Sequence, residues 1–587
     1  MAKRTPLQLT PALLFTLICA APALAKSPVA TGTGGAVATI SEKASESALK
    51  ILNQGGNAID AAVAAAATLG VTDPFSCGIG GGGFMVIYLA KENRVITIDH
   101  RESAPAAATY RSFTGPDGKA LDFETVVASG LSVGVPGTVR GWHEALERYG
   151  SMSFKQVLAP AIDVASKGFT VTPTFSRLVQ MNEPKFAAFP DTAKLYLRDG
   201  KALPAGSVLR NPDLAKAYRD IAARGYRAFY SGPMAKAIVD TVTHPRTAAG
   251  RTVPAGTMTL ADLSNYEARI RQPIHTTYRG YDIYGMPAPS SGGTTVLEAL
   301  NILEGYDLKS MPRDRAEHLY IEAARMAFAD RNAYLGDPEY VDAPVEGLLD
   351  KKFAATRRAL IPLDRDPGVA EAGNPYAFVT DPSYPMVPRS AAAAQRPESM
   401  HTTHLAVSDK DGNIVAYTFT IESWGGSGMV VPGYGFLLNN ELTDFDFMAP
   451  APNVIEGGKR PRSSMAPTIA FKNGKPAFTV GSPGGATIIT TVLQTIFNYV
   501  DLGMPMDQAL NAPRISSRNG STIDIEPGFP GSAQARALEG YGHKWDPQPD
   551  EIGAANAIVF NQDGTVTAVS EGKRHGIGTA LVQHKAH

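Results

Sequence analysis

Apolar positions fall into runs that separate helices from strands along most of the chain. Residues 43–70 are Ala-rich with a helical spacing: Ala48, Leu49, Ile51 and Leu52, then Ile59, Ala62, Val63 and Ala66. Gly55-Gly56-Asn57 divides this stretch into two predicted helices. Phe84–Leu89 and Val95–Ile98 read as a hairpin around Lys91-Glu92-Asn93. Helical patterns dominate 137–240 and 294–335. Alternation returns at Thr402, where Leu405, Val407, Val415, Tyr417, Phe419 and Ile421 flank the turn 410–413 and predict a second hairpin. A strand, Phe478-Thr479-Val480, then enters Gly481-Ser482-Pro483-Gly484-Gly485, and a helix follows with Ile488, Ile489, Val492, Leu493, Ile496, Phe497 and Val500 on one face. Helices outside and strands between predict a layered α/β domain.

Two stretches fall outside this pattern. Lys3 and Arg4, the apolar run Ala12–Ala20 and Ala23-Leu24-Ala25 have the order of a secretory signal peptide, so 1–25 are expected to be removed and the protein to be periplasmic or secreted. Between 361 and 401 periodicity fades, seven prolines appear, and Ala391–Ala394 form a run; this predicts a mobile, extended linker.

Composition narrows the function. The formal net charge is -1 with 19% charged residues and no basic run, which argues against a nucleic-acid binder. Beyond the leader one cysteine remains, Cys77, so no intrachain disulfide can form there. Gly78–Gly83 matches G-x-G-x-x-G, but a helix precedes it and a strand follows, the reverse of a dinucleotide site; it reads as a tight backbone passage. There is no H-E-x-x-H and no Cys/His cluster, so no zinc site is legible.

What remains is Met400-His401-Thr402-Thr403-His404. A threonine hydroxyl becomes a good nucleophile when its residue begins a chain, because its own α-amine can take the hydroxyl proton. A Thr pair between a linker and a strand suits backbone cleavage before Thr402. The run Thr402-Thr403-His404, Asp411-Gly412-Asn413 and Thr418-Phe419-Thr420 resembles the start of the small subunit of γ-glutamyltranspeptidases. Asn439 to Phe445, Arg460 to Met465 and Gly481 to Gly485 resemble further blocks of that family in order. Upstream, Gly55 to Ala58, Gly78 to Phe84, Asp99 to Glu102 and Val135 to Gly137 are similar to its large-subunit blocks.

The resemblance implies a four-layer αββα sandwich of the N-terminal-nucleophile hydrolase type. One precursor would cut itself into a large subunit, 26–401, and a small catalytic subunit, 402–587, that stay together as a heterodimer. Thr402 would be the cleavage site and the nucleophile toward a γ-glutamyl carbonyl, with its freed amine as general base. Thr420 would hold that amine, and the amides around Gly484 and Gly485 would form the oxyanion hole. Arg101 would clamp the substrate α-carboxylate, helped by Ser463 and Ser464, while Glu441, Asp444 and Glu422 would hold its α-ammonium. Glu422 stands where some members have Asn, which makes the site more acidic. Only 14 residues separate Phe445 from Arg460, too few for a lid loop, so an open donor pocket is expected. No cofactor and no metal are implied. The substrates implied are a glutathione-like donor and water, an amino acid or a peptide as acceptor; no nucleic acid or membrane is involved. Two rival expectations stand: a cephalosporin or glutaryl acylase of the same fold, and a non-catalytic periplasmic binding protein that keeps the pocket.

Overall fold

A computed structural model describes residues 27–381, 401–576 and 578–583. The proposed leader and most of the stretch before Thr402 lie outside the described residues. Two seven-stranded antiparallel sheets form the centre. The first runs Val29–Gly32, Val566–Val569, Asn556–Phe560, Lys475–Gly481, Thr468–Lys472, Tyr281–Gly285, Ile274–Tyr278. The second runs Thr579–Val582, Ala36–Thr39, Thr403–Ser408, Ile414–Thr420, Gly82–Leu89, Arg94–Asp99, Arg269–Arg271.

Side chains alternate across each strand, and that alternation builds the layers. On Gly82–Leu89, Met85, Ile87 and Leu89 join the cluster formed with helices Glu42–Asn53 and Ala58–Thr72. Phe84, Val86 and Tyr88 face the other way, into the cluster that holds the first sheet and helices Gly292–Glu304, Arg313–Tyr334 and Thr487–Ile496. The result is helix, sheet, sheet, helix, as expected from the resemblance. The break at Gly55-Gly56-Asn57 is a helix start: the Asn57 side chain accepts from the amides of Ile59 and Asp60, and Asp60 Oδ2 accepts from Asn57 N at 2.9 Å. Nine-tenths of the following helix is buried because Ala lets it lie close against its neighbours.

The glycine run 78–83 is a tight passage. A Cβ on Gly81 would meet Thr420 O at 1.9 Å, and one on Gly80 would meet Leu437 O at 2.0 Å. Only hydrogen fits there, and the close approach fixes the end of the strand that carries Thr420. The stretch expected as a linker is irregular, but its described part is pinned to the body rather than extended away from it. Asp366 N donates to Tyr541 O at 2.6 Å, Ala370 N to Asn519 Oδ1 at 2.7 Å and Arg357 Nη2 to Glu371 O at 2.7 Å. A short 3-10 turn, Pro375–Phe378, packs its Pro375 inside. Residues 382–400 of that stretch lie outside the described residues. Among the described residues no helix is long and apolar enough to cross a membrane.

Candidate functional site

Thr402 immediately precedes the strand Thr403–Ser408, whose register places Thr403 opposite Phe419 and Thr420 opposite Gly82. The hydroxyl-bearing ends of two neighbouring strands therefore meet. Thr402 Oγ1 lies 3.3 Å from Thr420 Oγ1, and both hydroxyls donate to His401 O, at 2.6 and 2.9 Å. The carbonyl of the peptide bond before Thr402 is thus polarised by two donors. The His401 ring packs on Trp424 with centroids 3.8 Å apart.

A pocket of about 90 Å³ opens at this point. Its wall carries Arg101, Thr402, Thr420, Glu422, Glu441, Asp444, Ser463, Ser464 and Gly485. Nine of the ten residues singled out from the sequence therefore share one cavity. Gly484 lies behind that wall: a Cβ there would meet Thr487 Oγ1 at 2.5 Å, and its φ of +133° favours glycine. Gly485, φ +55°, presents the backbone, and the helix Thr487–Ile496 starts two residues on with its positive end toward the cavity.

Arg101 follows strand Arg94–Asp99 and is 1% exposed. Its Nη1 pairs with Glu441 and its Nη2 with Asp444, while Nε donates to Pro461 O at 3.2 Å. The groups expected to bind opposite ends of a zwitterion thus bind one another here. Burial disfavours the guanidinium charge, but Glu441, Asp444 and Glu102 more than offset it and raise the Arg101 pKa. Glu441 is pushed well above the usual carboxylate range by burial.

Glu422 sits at φ +75°, a left-handed backbone uncommon outside glycine. The residue is held there by its neighbours. Its N donates to Thr420 Oγ1 at 2.9 Å, and its Oε2 accepts from Ser423 Oγ at 2.6 Å and from Asn440 Nδ2. Burial pushes its carboxyl up to about 8, and nearby Asp444 adds to the shift. Burial likewise lifts Glu102 to about 7. Such shifts concentrate at sites that handle charge.

A carboxyl whose folded pKa exceeds its unfolded value stabilises the fold fully below the unfolded value and loses that contribution as pH climbs through the folded one. The ligand-free chain should therefore melt at falling temperature between about pH 5 and pH 8.5, and Glu422→Gln should flatten part of that slope. Differential scanning calorimetry across this range checks it; an equal slope in Glu422→Gln would discount Glu422 as the source.

Ser464 and Ser463 are fixed from behind. Ser464 Oγ accepts from Arg331 Nη2 at 2.7 Å, and Arg331 Nε also donates to Ser291 Oγ at 2.8 Å. Ser463 Oγ accepts from Met465 N at 3.1 Å. The Asn pair before Glu441 is structural support: Asn439 Nδ2 donates to Gly80 O and Gly134 O at 2.7 and 2.9 Å, and Asn440 Oδ1 accepts from Ser423 N at 2.9 Å. Lys185 Nζ, brought low to about 8 by burial, donates to the carbonyls of Trp424 and Gly426 at 2.5 and 3.1 Å and so anchors the loop after Glu422. His404, close in sequence to Thr402, hydrogen-bonds Thr418 Oγ1 at 2.8 Å, and burial takes its pKa to about 3.

Sequence reasoning missed Glu102, Asn440, Arg331, Trp424 and Lys185. Glu102 and Asn440 stood inside two of the blocks that carry the resemblance, so the signal was present. Arg331, Trp424 and Lys185 had none: each reaches the site only through the tertiary fold.

Comparison with known proteins gives a consistent picture. The family model described as gamma-glutamyltranspeptidase matches residues 44–581. A glutathione hydrolase proenzyme of Bacillus subtilis (strain 168) is 41% identical over 560 residues, covering 94% of this chain and 92% of its own. An acylase ACY 1 proenzyme of Pseudomonas sp. (strain SE83) is 38% identical, covering 94% of each chain. Among solved structures, the cephalosporin acylase from Bacillus halodurans superposes with a TM-score of 0.82 at 28% identity, covering 98% of this chain and 100% of that one.

Proposed function

The chain belongs to the γ-glutamyltranspeptidase family, and on that premise we propose that it is a self-processing glutathione hydrolase and γ-glutamyltransferase with Thr402 as nucleophile. The observation that carries this reading is the meeting of Thr402 and Thr420 on the His401 carbonyl, at the mouth of a pocket whose wall includes Arg101, Glu422, Glu441 and Asp444.

Processing comes first. Thr402 Oγ1 attacks the His401 carbonyl carbon, and the developing oxyanion is held by the Thr420 hydroxyl. The C–N bond breaks as the Thr402 nitrogen takes the hydroxyl proton, leaving an ester. Water cleaves that ester, so 26–401 ends in a carboxylate and 402–587 begins with a free amine. Both parts remain one αββα body.

Turnover repeats the chemistry on a γ-glutamyl amide. The Thr402 amine takes the hydroxyl proton as Oγ1 bonds to the γ-carbonyl carbon. The oxyanion faces the amides at Gly484 and Gly485. Collapse expels the leaving amine, which receives the proton from the Thr402 ammonium, and a γ-glutamyl ester remains. Water or an amino group then attacks with the same amine as base, giving hydrolysis or transfer. Arg101 with Ser463 and Ser464 receives the donor α-carboxylate; Glu422, Glu441 and Asp444 face its α-ammonium. Because Arg101 is already paired with Glu441 and Asp444, the donor enters by exchanging partners, each charge finding an opposite one in the zwitterion.

The acylase relatives favour a second reading, side-chain deacylation of a β-lactam. A glutaryl group has the carboxylate but not the ammonium, so Glu422 and Asp444 would face it unpaired. A donor panel separates the two. A γ-glutamyl anilide should exceed the matching glutaryl anilide by about 100-fold in kcat/KM, and Glu422→Gln should narrow that gap. Equal rates on both donors would transfer the assignment to the acylase.

A further inference from the structure

A second cluster of ligating side chains is closed inside the outer helix layer. His318 and Glu322 stand four residues apart on helix Arg313–Tyr334, which puts both on one face. His543 reaches them from the turn after helix Ala533–Glu539, and Asp366 from the irregular stretch after helix Lys351–Arg358. His318, Glu322 and His543 are buried, and one ligating atom from each lies within 4.8 Å of the others.

The hydrogen bonds leave this cluster incomplete. His318 Nε2 is 2.8 Å from the carbonyl oxygen of Pro362. A carbonyl only accepts, so Nε2 carries the proton and Nδ1 keeps a lone pair. His543 Nδ1 faces Asp366 Oδ2 at 3.5 Å, which favours the proton there and a lone pair on Nε2. Those two lone pairs face each other across 2.9 Å. Two lone pairs in that arrangement are reconciled by a proton or by a metal ion between the rings. Glu322 makes the same demand: it is fully buried, and neither of its oxygens has a hydrogen-bond partner. Arg325 Nε forms an ion pair with Glu322 Oε1 at 3.4 Å, and its remaining nitrogens serve Gly520 O and Asp366.

We propose that His318, Glu322 and His543 bind one divalent transition-metal ion of the zinc or cobalt class, with Pro362 O and Asp366 orienting the two rings from behind. Two imidazoles and one Glu are a donor set that zinc accepts, and ring nitrogens backed by a carbonyl and a carboxylate are the usual outer partners. Two ring nitrogens about 2.1 Å from one tetrahedral ion lie about 3.4 Å apart, so the rings would part by roughly 0.5 Å from their 2.9 Å separation to admit it. Glu322, with a carboxylate oxygen within 4.8 Å of a nitrogen of each ring, completes the set by turning toward that point. Arg325 is shared between Glu322 and Asp366, at 3.4 and 3.3 Å, so two carboxylates face one guanidinium before any ion binds. His318, Glu322 and Asp366 precede Thr402 in the chain and His543 follows it. If the chain is cut there, as proposed above, the ion joins the two parts; binding itself does not depend on the cut.

The test uses the full chain, stripped with a chelator and titrated with Co²⁺ alone, in unsubstituted and Thr402→Ala forms so that cleavage plays no part. Visible d–d absorption should rise to one equivalent and be displaced by Zn²⁺. Zn²⁺ should raise the melting temperature by roughly 2–5 °C. Both signals should vanish in Glu322→Gln and in His543→Gln. No absorption and no shift at pH 7.5 in the unsubstituted chain would overturn the site, as would full-affinity binding by both variants.

Discussion

Thr402→Ala is expected to leave the chain in one piece and to lower turnover of a γ-glutamyl anilide by about 10⁴-fold or more. The two losses have one origin. Thr402 Oγ1 is the hydroxyl beside the His401 carbonyl, and the amine that would serve as base exists only after the cut. Removing a covalent nucleophile leaves only binding and oxyanion contacts, which is why the remaining rate should lie near background. Thr402→Ser keeps the oxygen and should both split and turn over, more slowly. A denaturing gel reads the cut, and Edman sequencing of the shorter fragment should begin Thr-Thr-His-Leu. Splitting of Thr402→Ala at the same bond, or an active enzyme whose fragment begins elsewhere, would end the scheme.

Arg101→Lys should also be damaging, to a smaller degree, despite keeping the charge. The guanidinium serves Glu441, Asp444 and the Pro461 carbonyl at once from a site that is almost wholly buried. An ammonium has no planar fork to match two carboxylates. Truncating one partner of a buried charge pair costs about 2–5 kcal/mol, so kcat/KM should fall by roughly 30- to 5,000-fold, mostly through KM. Arg101→Met should also destabilise, by about 3–5 kcal/mol, because Glu441 and Asp444 are left without their cation. Adding Asp444→Asn to Arg101→Met should recover part of the stability and none of the activity. Thermal melts and steady-state kinetics on the three variants decide this; an Arg101→Lys enzyme with unchanged KM would show that the clamp lies elsewhere.

Much of this site was legible before any coordinates. The hairpin from Thr402 to Ile421 announces itself by strict alternation, and the register follows from it, so the nearness of Thr402 and Thr420 needed only a short local turn. The glycine run could be read as a close passage because its order of helix and strand excluded a nucleotide loop. Long-range pairing was not legible. Nothing local says that Ala36–Thr39 lies between Thr579–Val582 and Thr403–Ser408. Arg331 was a helix residue among many, and its role behind Ser464 depends on a contact across 133 positions. The pairing of Arg101 with Glu441 and Asp444 was also hidden. The motifs give each residue a task with substrate but not what it touches in the substrate's absence. The His318 cluster was missed for the same reason: H-x-x-x-E on one helix is common, and its third member stands 225 positions away.

The strand order has one more implication. In both sheets, strands from before and after Thr402 are hydrogen-bonded neighbours, with Ala36–Thr39 held between two strands of the later part. Hydrolysing a single peptide bond therefore frees an end without creating two separable bodies. If the chain is cut there as proposed, fragments from different molecules could trade places only by unzipping both sheets, and each pair is expected to stay the one translated together.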